Sequence, residues 1–225
     1  MNVSNMLKLF FMSIFIAFLT ASETVAVGQF KDFGGFSLKV QYPNNHKNVI
    51  IKEKKTFKID GLEYLAINYY EAILGQEYTY ILSVAVLKKS NGKYISLFDK
   101  KVHDTGQPGF FESTFLFKSK DNNFIVFEVF NGAHNMDYCI IRVSKGKAKE
   151  IPMENYYINP LVKDVLKPGE WFCRGTVYSF EDGRIWGFAQ IFKQDDGCCC
   201  PTGGELVFSH KFDNDVFKIT KVKRE

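Results

Sequence analysis

Several functional classes are excluded by what the chain lacks. There is no basic surplus of the size a nucleic-acid groove requires, because 29 lysines and arginines face 25 aspartates and glutamates along 225 residues. The densest basic clusters are Lys52, Lys54 and Lys55, and Lys218, Lys221, Lys223 and Arg224. Their spacing suits solvated edge strands kept from aggregating, so nucleic acid is not an expected partner. There is no Gly-x-Ser-x-Gly elbow, and the four histidines, His46, His103, His134 and His210, are scattered without a nucleophile patterned beside them. No catalytic residue is therefore assigned, and an envelope hydrolase using His134 or His210 is retained only as an alternative. There is no Cys-x-x-Cys knuckle either. The adjacent Cys198, Cys199 and Cys200 would point in alternating directions on extended backbone instead of converging on one ion with His210, so neither a metal nor a cofactor is expected. No Asn-x-Ser/Thr acceptor follows residue 22, an absence that favours a bacterial periplasm.

No apolar run reaches the ~20 residues that cross a bilayer. The longest, Leu9 to Leu19, follows Lys8 and precedes the small residues Thr20, Ala21 and Ser22. That order is the one found in secretory leaders, with cleavage expected after Ala21, Ser22 or Ala26. The expectation is a signal peptide over 1–22 and a single domain over 23–225 in the periplasm or outside the cell, with no stable membrane insertion after cleavage. Removing the leader takes away Lys8 and leaves 28 basic against 25 acidic side chains, a charge of +3.

Period-two alternation dominates what remains. Phe36, Leu38, Val40 and Tyr42 share one strand face opposite Ser37, Lys39 and Gln41. Hairpin signals recur at Asn91-Gly92, Asp121-Asn122-Asn123, Lys145-Gly146, Asp182-Gly183 and Asp213-Asn214-Asp215. Their spacing, roughly 25 to 35 residues, is too uneven for a propeller. Several strands are apolar on both faces and so need cover on each side. The expectation is an all-β antiparallel meander forming a two-layer sandwich or barrel, with at most one or two short helices. Two segments are ambiguous. Asp60 to Ile73 has both capping-box spacing and strand alternation, and it is read as a strand. A proline-rich connector over 151–169 holds Asn159-Pro160, suited to start a short helix running to about Leu166.

The stretches Asp60 to Ile67 and Tyr78 to Val86, the Asn91-Gly92-Lys93 hairpin and Cys199-Cys200-Pro201-Thr202 together resemble exported bacterial proteins of the LppP/LprE lipoprotein type. The chain departs from that pattern in having no lipid-acceptor cysteine and a third cysteine at Cys198. The resemblance implies export and a role for the cysteine element, and it implies no catalytic residue.

The five cysteines are Cys139, Cys173, Cys198, Cys199 and Cys200. Alternation places Cys139 with Ile141 and Val143, and Cys173 with Trp171 and Val177, facing the core. Cys173 is expected to form a structural disulfide with Cys198, Cys199 or Cys200, pinning the loop from Asp195 to Gly204. A carboxylate pair, Glu63 and Glu71, is read as surface charge. Aromatics outside the regular strands, Phe110, Phe111, Tyr156 and Tyr157, together with the loop residue His134, form a candidate contact surface. The expected function is that of an exported, non-catalytic binding or accessory protein of the bacterial cell envelope, with an envelope protein or glycan as partner. An inhibitor or immunity protein against a secreted toxin or lysozyme is the other alternative.

Overall fold

The computed structural model describes residues 30–32, 35–39, 46–73, 80–105, 110–130, 136–172, 176–197 and 200–225. A two-stranded hairpin, β1 (Phe30–Asp32) and β2 (Ser37–Lys39), precedes three four-stranded antiparallel sheets. The first sheet is β3 (His46–Ile59), β4 (Leu62–Ile73), β5 (Tyr80–Ser90) and β6 (Lys93–Thr105). The second is β7 (Phe110–Ser119), β8 (Asn122–Phe130), β9 (Met136–Ser144) and β10 (Lys147–Glu150), and the third is β11 (Val177–Glu181), β12 (Arg184–Gln190), β13 (Glu205–Asp213) and β14 (Val216–Arg224). Every sheet follows chain order, as a meander does. The expected all-β antiparallel architecture is thus realised, and the described strands close no barrel.

Tight turns set the register. Asp60-Gly61, Asn91-Gly92, Lys145-Gly146 and Asp182-Gly183 all have positive φ at both residues, the backbone that matches a two-residue hairpin to strand twist. Asp60-Gly61 therefore turns β3 into β4 and does not cap a helix. Along β4 the two alternating sets enter different cores. Leu65, Ile67 and Tyr69 pack with Leu38 of β2, while Tyr64 and Ala66 pack with Ile125, Phe127, Cys139 and Ile141 of the second sheet. Phe124, Val126 and Ile140 leave the other face of that sheet and meet Ile185 and Phe217 of the third. Doubly apolar strands are explained by this stacking, because the first and second sheets are each covered on both faces. Sandwich packing occurs twice in succession, and no core cluster among the described residues joins the first sheet to the third.

The third sheet differs. Ile185, Gly187 and Ala189 of β12 are buried, and the alternating Trp186 and Phe188 are half-buried. Its inner face is shared: Ile185 meets the second sheet, whereas Ala189, Leu206 and Phe208 meet the connector through Tyr156 and Val162. The connector holds a 3-10 turn, Tyr156–Ile158, and one α-helical turn, α1 (Pro160–Lys163). Asn159 accepts from the Leu161 N–H at 2.9 Å with Pro160 in the first helical position, which is the start expected from the sequence. The helix itself ends at Lys163, and hydrogen-bonded turns carry the chain to Leu166.

Candidate functional site

The site begins with a missing side chain. A Cβ on Gly187 would stand 2.4 Å from the Phe208 ring, so glycine lets Phe208 lie against β12. Tyr156 stacks on Phe208 with centroids 5.3 Å apart, meets Phe172 edge-on at 5.3 Å and lies 4.2 Å from the Tyr157 ring. The connector is led there by backbone bonds: Ile151 N–H donates to Ile140 O at 2.8 Å, Phe217 N–H to Pro152 O at 3.0 Å, and Glu154 N–H to Phe217 O at 2.9 Å. Glu154 Oε2 accepts from the Ile219 N–H at 2.7 Å, and Asn155 Oδ1 accepts from the Tyr157 N–H at 2.9 Å. At the far end Arg224 Nη2 reaches Glu170 Oε1 at 2.7 Å.

Where the connector leaves the second sheet and joins the third, it borders an open cleft of about 580 Å³. One wall is formed by Lys100 of β6 with Glu150 of β10, whose carboxylate accepts from the lysine Nζ at 2.7 and 2.8 Å. Tyr138 of β9 and Tyr178 of β11 form a second wall, their rings perpendicular at 5.2 Å. The connector supplies Glu154, Asn155, Tyr156 and Tyr157, and Thr176 closes the end.

The tyrosines keep their protons. Burial pushes the Tyr138 phenol up to about 12, and burial raises Tyr156 and Tyr178 further, with Thr176 partly opposing the rise in both. That opposition is hydrogen bonding of the Thr176 hydroxyl toward both phenols, loose enough that neither its oxygen nor that of Tyr156 has a close, well-aligned partner, and solvent reaches neither oxygen. Both residues are buried, 4 % and 6 % exposed, and both line the cleft. Cys139, at the base, is 2 % exposed, and burial followed by the Glu150 charge pushes its thiol up to about 12, which makes it a poor nucleophile.

No family model, curated protein or solved structure matches this chain. The candidate residues therefore stand on geometry alone.

Of the expected contact residues, the structure brings Tyr156 and Tyr157 into the cleft and places Phe110 and Phe111 elsewhere. Phe110 and Phe111 belong to β7, paired with Phe130 and Val129, and Phe111 stacks on Tyr70 at 5.5 Å. They continue a strand instead of capping a loop. His134, Cys173, Cys198 and Cys199 lie outside the described residues, so the expected disulfide falls there. Trp171 and Val177, used to turn Cys173 inward, are 40 % and 57 % exposed, which removes the phase argument for that residue. No disulfide links the two described cysteines, and Cys200 is exposed. The loop carrying Cys200 has a non-covalent tie that alternation does not reveal: Asp196 accepts from the N–H groups of Lys193 at 2.7 Å and Thr202 at 2.8 Å.

His210 is fully buried, with Nε2 3.2 Å from the Glu154 carbonyl oxygen and its ring against Phe208 and Tyr178. It props the connector from beneath and is absent from the cleft lining. Glu71, expected at the surface, is fully buried in β4. Tyr138, Thr176 and Tyr178 were not singled out from the sequence. Their alternation marks Tyr138 and Tyr178 only as strand residues, and nothing local shows that two strands from different sheets converge.

A second cavity, about 650 Å³, lies along β9 and β10 and is lined by Arg142, Lys145, Lys147 and Lys149. Arg142 and Lys149 both pair with Asp215, and none of the unpartnered buried polar atoms belongs to it. Among the described residues no cluster of histidine, cysteine and carboxylates could hold a metal.

Proposed function

We propose that this chain is an exported, non-catalytic binding protein of the bacterial cell envelope that takes its ligand in the tyrosine-lined cleft. The observation carrying this reading is the open cleft itself, where the connector brings Tyr156 and the half-exposed Tyr157 against Tyr138 of the second sheet and Tyr178 of the third. The cleft's volume, about 580 Å³, falls within the roughly 300–1,000 Å³ typical of small-ligand sites. Binding is favoured over hydrolysis because the phenols and the Cys139 thiol are all shifted toward their protonated forms. The Glu150 and Glu154 carboxylates are engaged by Lys100 and the Ile219 N–H. Export rests on the leader-like pattern of residues 1–22.

Two measurements test the proposal. Expression in a bacterial host followed by osmotic shock should release a form whose N-terminus begins after residue 21, 22 or 26; retention of residues 1–22 in the cytoplasm would remove export. Titrating isotope-labelled protein with a soluble envelope hydrolysate should shift amide resonances around Tyr138, Tyr156 and Tyr178. An unchanged spectrum would remove the binding role.

A further inference from the structure

Alternate connections of an antiparallel meander lie at the same end of its sheet, and in each of the three large sheets the first and third connections are two-residue turns. Hydrogen bonds between sheets bring these turns to one end of the stack. Gly146 N–H donates to the Tyr64 hydroxyl at 3.0 Å, and Tyr64 is the cross-strand partner of Lys88, so the turns at 60–61, 91–92 and 145–146 are neighbours. Ser119 Oγ donates to the Gly183 carbonyl at 2.6 Å, which joins the turns at 120–121 and 182–183. Asp215, in the turn at 214–215, accepts from Arg142, and from Lys149 at 2.6 Å.

This end is basic. Residues 57–64, 88–95, 117–124, 142–149, 179–186 and 211–218 carry thirteen lysines and arginines against seven aspartates and glutamates. The rest of the chain carries sixteen against eighteen, so the turns hold more than the whole net charge of +4. From this segregation we infer that the turn end docks, reversibly and by electrostatics, on the anionic phospholipid headgroups of a membrane surface. The inference assigns a surface separate from the cleft and does not depend on the cleft's ligand.

The carboxylates of this end are already engaged. Glu63 pairs with Lys89 at 3.0 Å, Asp213 with Lys218 at 2.7 Å, and Asp215 with Arg142 and Lys149. Lys93, Lys118 and Lys147 come from three different hairpins, are exposed, and pair with no described carboxylate. The cavity of about 650 Å³ beside the 145–146 turn is lined by Arg142, Lys145, Lys147 and Lys149 with Asn122 and Ser144, and no described carboxylate lines it. Guanidinium, ammonium, amide and hydroxyl donors around one recess suit the oxygens of a phosphate ester.

A polymer strand calls for cations aligned along a groove, and nucleic-acid bases call for exposed rings on which to stack. Here the cations sit on separate turns of three stacked layers, and no described aromatic side chain of the six segments is exposed. A sheet of headgroups meets all these tips at once. Ile95 is the one large apolar side chain exposed within them among the described residues, too little for insertion, so charge supplies the attachment. The cleft lies at the other end, where β9 begins and β10 finishes, and its lining sets Asp137, Glu150 and Glu154 against Lys100. An anionic surface therefore attracts the turns and leaves the cleft facing away from it.

Partition of the purified full chain into vesicles of equal parts phosphatidylglycerol and phosphatidylcholine, divided by partition into phosphatidylcholine alone, tests the inference. Any attachment through the apolar stretch of residues 9–19 is common to both vesicles and cancels in that ratio. The ratio should exceed unity and fall toward it as salt is added. The triple variant Lys93→Gln, Lys118→Gln, Lys147→Gln should lower it about a hundredfold, roughly fivefold for each lysine near the surface. Its melting temperature should match the wild type, because none of the three has a described partner to lose. Lys163→Gln, Lys167→Gln, Lys193→Gln removes the same charge from exposed positions of the connector and the far end of the third sheet, and should leave the ratio unchanged. The inference is overturned if the wild-type ratio is unity at low salt, if the turn variant keeps the wild-type ratio, or if the two triple variants lower it equally. A short DNA duplex is the competing polymer: should it bind through the same lysines while the vesicle ratio stays at unity, the membrane assignment falls. None of these outcomes involves the cleft resonances, so the cleft reading fails only by its own titration.

Discussion

The two seams between sheets are built from different materials. The seam between the first and second sheets is largely aliphatic, with Val84, Val86, Ile125 and Ile141 at its centre, and a polar network, buried at Asn68 and Thr114 and half-exposed at Glu53 and Lys55, crosses it. Thr114 Oγ1 donates to Asn68 Oδ1 at 3.0 Å, Asn68 Nδ2 donates to Glu53 Oε2 at 3.2 Å, and Lys55 Nζ reaches the Thr114 carbonyl at 2.6 Å. The seam between the second and third sheets is aromatic. Phe124 meets Phe212 and Phe217, each at 5.1 Å, and Phe180 sits edge-on to Phe115 at 5.1 Å and to Phe117 at 5.4 Å. Aliphatic surface is non-directional and does not by itself fix how one sheet sits on another, whereas hydrogen bonds with defined partners do. Edge-to-face rings carry their own geometric preference and need no polar pin. The aromatic seam also runs on, through Tyr138 and Tyr178, into the cleft. The seam and the wall of the proposed binding cleft are therefore drawn from one continuous set of rings.

Mutation can break this contrast. Phe124→Ala removes a fully buried ring from the aromatic seam and should cost about 3–5 kcal/mol, read as a lower urea midpoint. Asn68→Ala strands the Thr114 hydroxyl at the other seam and should cost about 1–3 kcal/mol. Equal losses would mean that the polar network holds the first seam as firmly as the rings hold the second. Gly187→Ala should cost a comparable amount, about 1–3 kcal/mol, because the new methyl overlaps the Phe208 ring. It should also disturb Tyr156, moving the cleft resonances while leaving those of the first sheet in place.

A smaller effect sharpens the same contrast through pH. His210 lies beneath the connector, and burial lowers its pKa below the ordinary 6.5. The unfolded chain therefore takes up a proton at a pH where the folded chain does not. The stability this neutral imidazole contributes is complete above the unfolded pKa, roughly 6.5, and is lost as pH falls toward the folded value. His210→Gln should show less fall in melting temperature between pH 7.5 and 5 than the wild type, and parallel curves would refute the assignment. The smallest expected signal is at Cys139, whose thiol is buried and pushed up to about 12. It should resist alkylation at pH 8 in the folded protein and react once urea unfolds the chain, as seen by peptide mapping of residue 139.

Much of this architecture is visible in the sequence because its causes are local. Asp60-Gly61, Asn91-Gly92 and Asp182-Gly183 announce hairpins through a conformation that few other residues adopt comfortably. The alternation in Asp60 to Ile73 outweighs its capping-box spacing, and both alternating sets prove buried because two different layers cover them. Asn159-Pro160 starts a helical turn as its chemistry requires. Legibility stops where partners are distant in the chain. Phe110 and Phe111 look like loop aromatics because Pro108 and Gly109 precede them in the sequence, yet their strand is established by pairing with β8. Glu71 carries no local mark of burial.

The sequence by itself determined the strands, the turns and the doubly apolar faces that demand more than one layer, since these follow from side-chain period and backbone preference within a few residues. Only the tertiary structure decided which face meets which layer, and that the connector crosses the third sheet beside the second. It alone brought Tyr138, Tyr156, Thr176 and Tyr178 to one cleft. Which side chains share a cleft is set by the packing of segments far apart in the chain, and no pattern along a single strand encodes it.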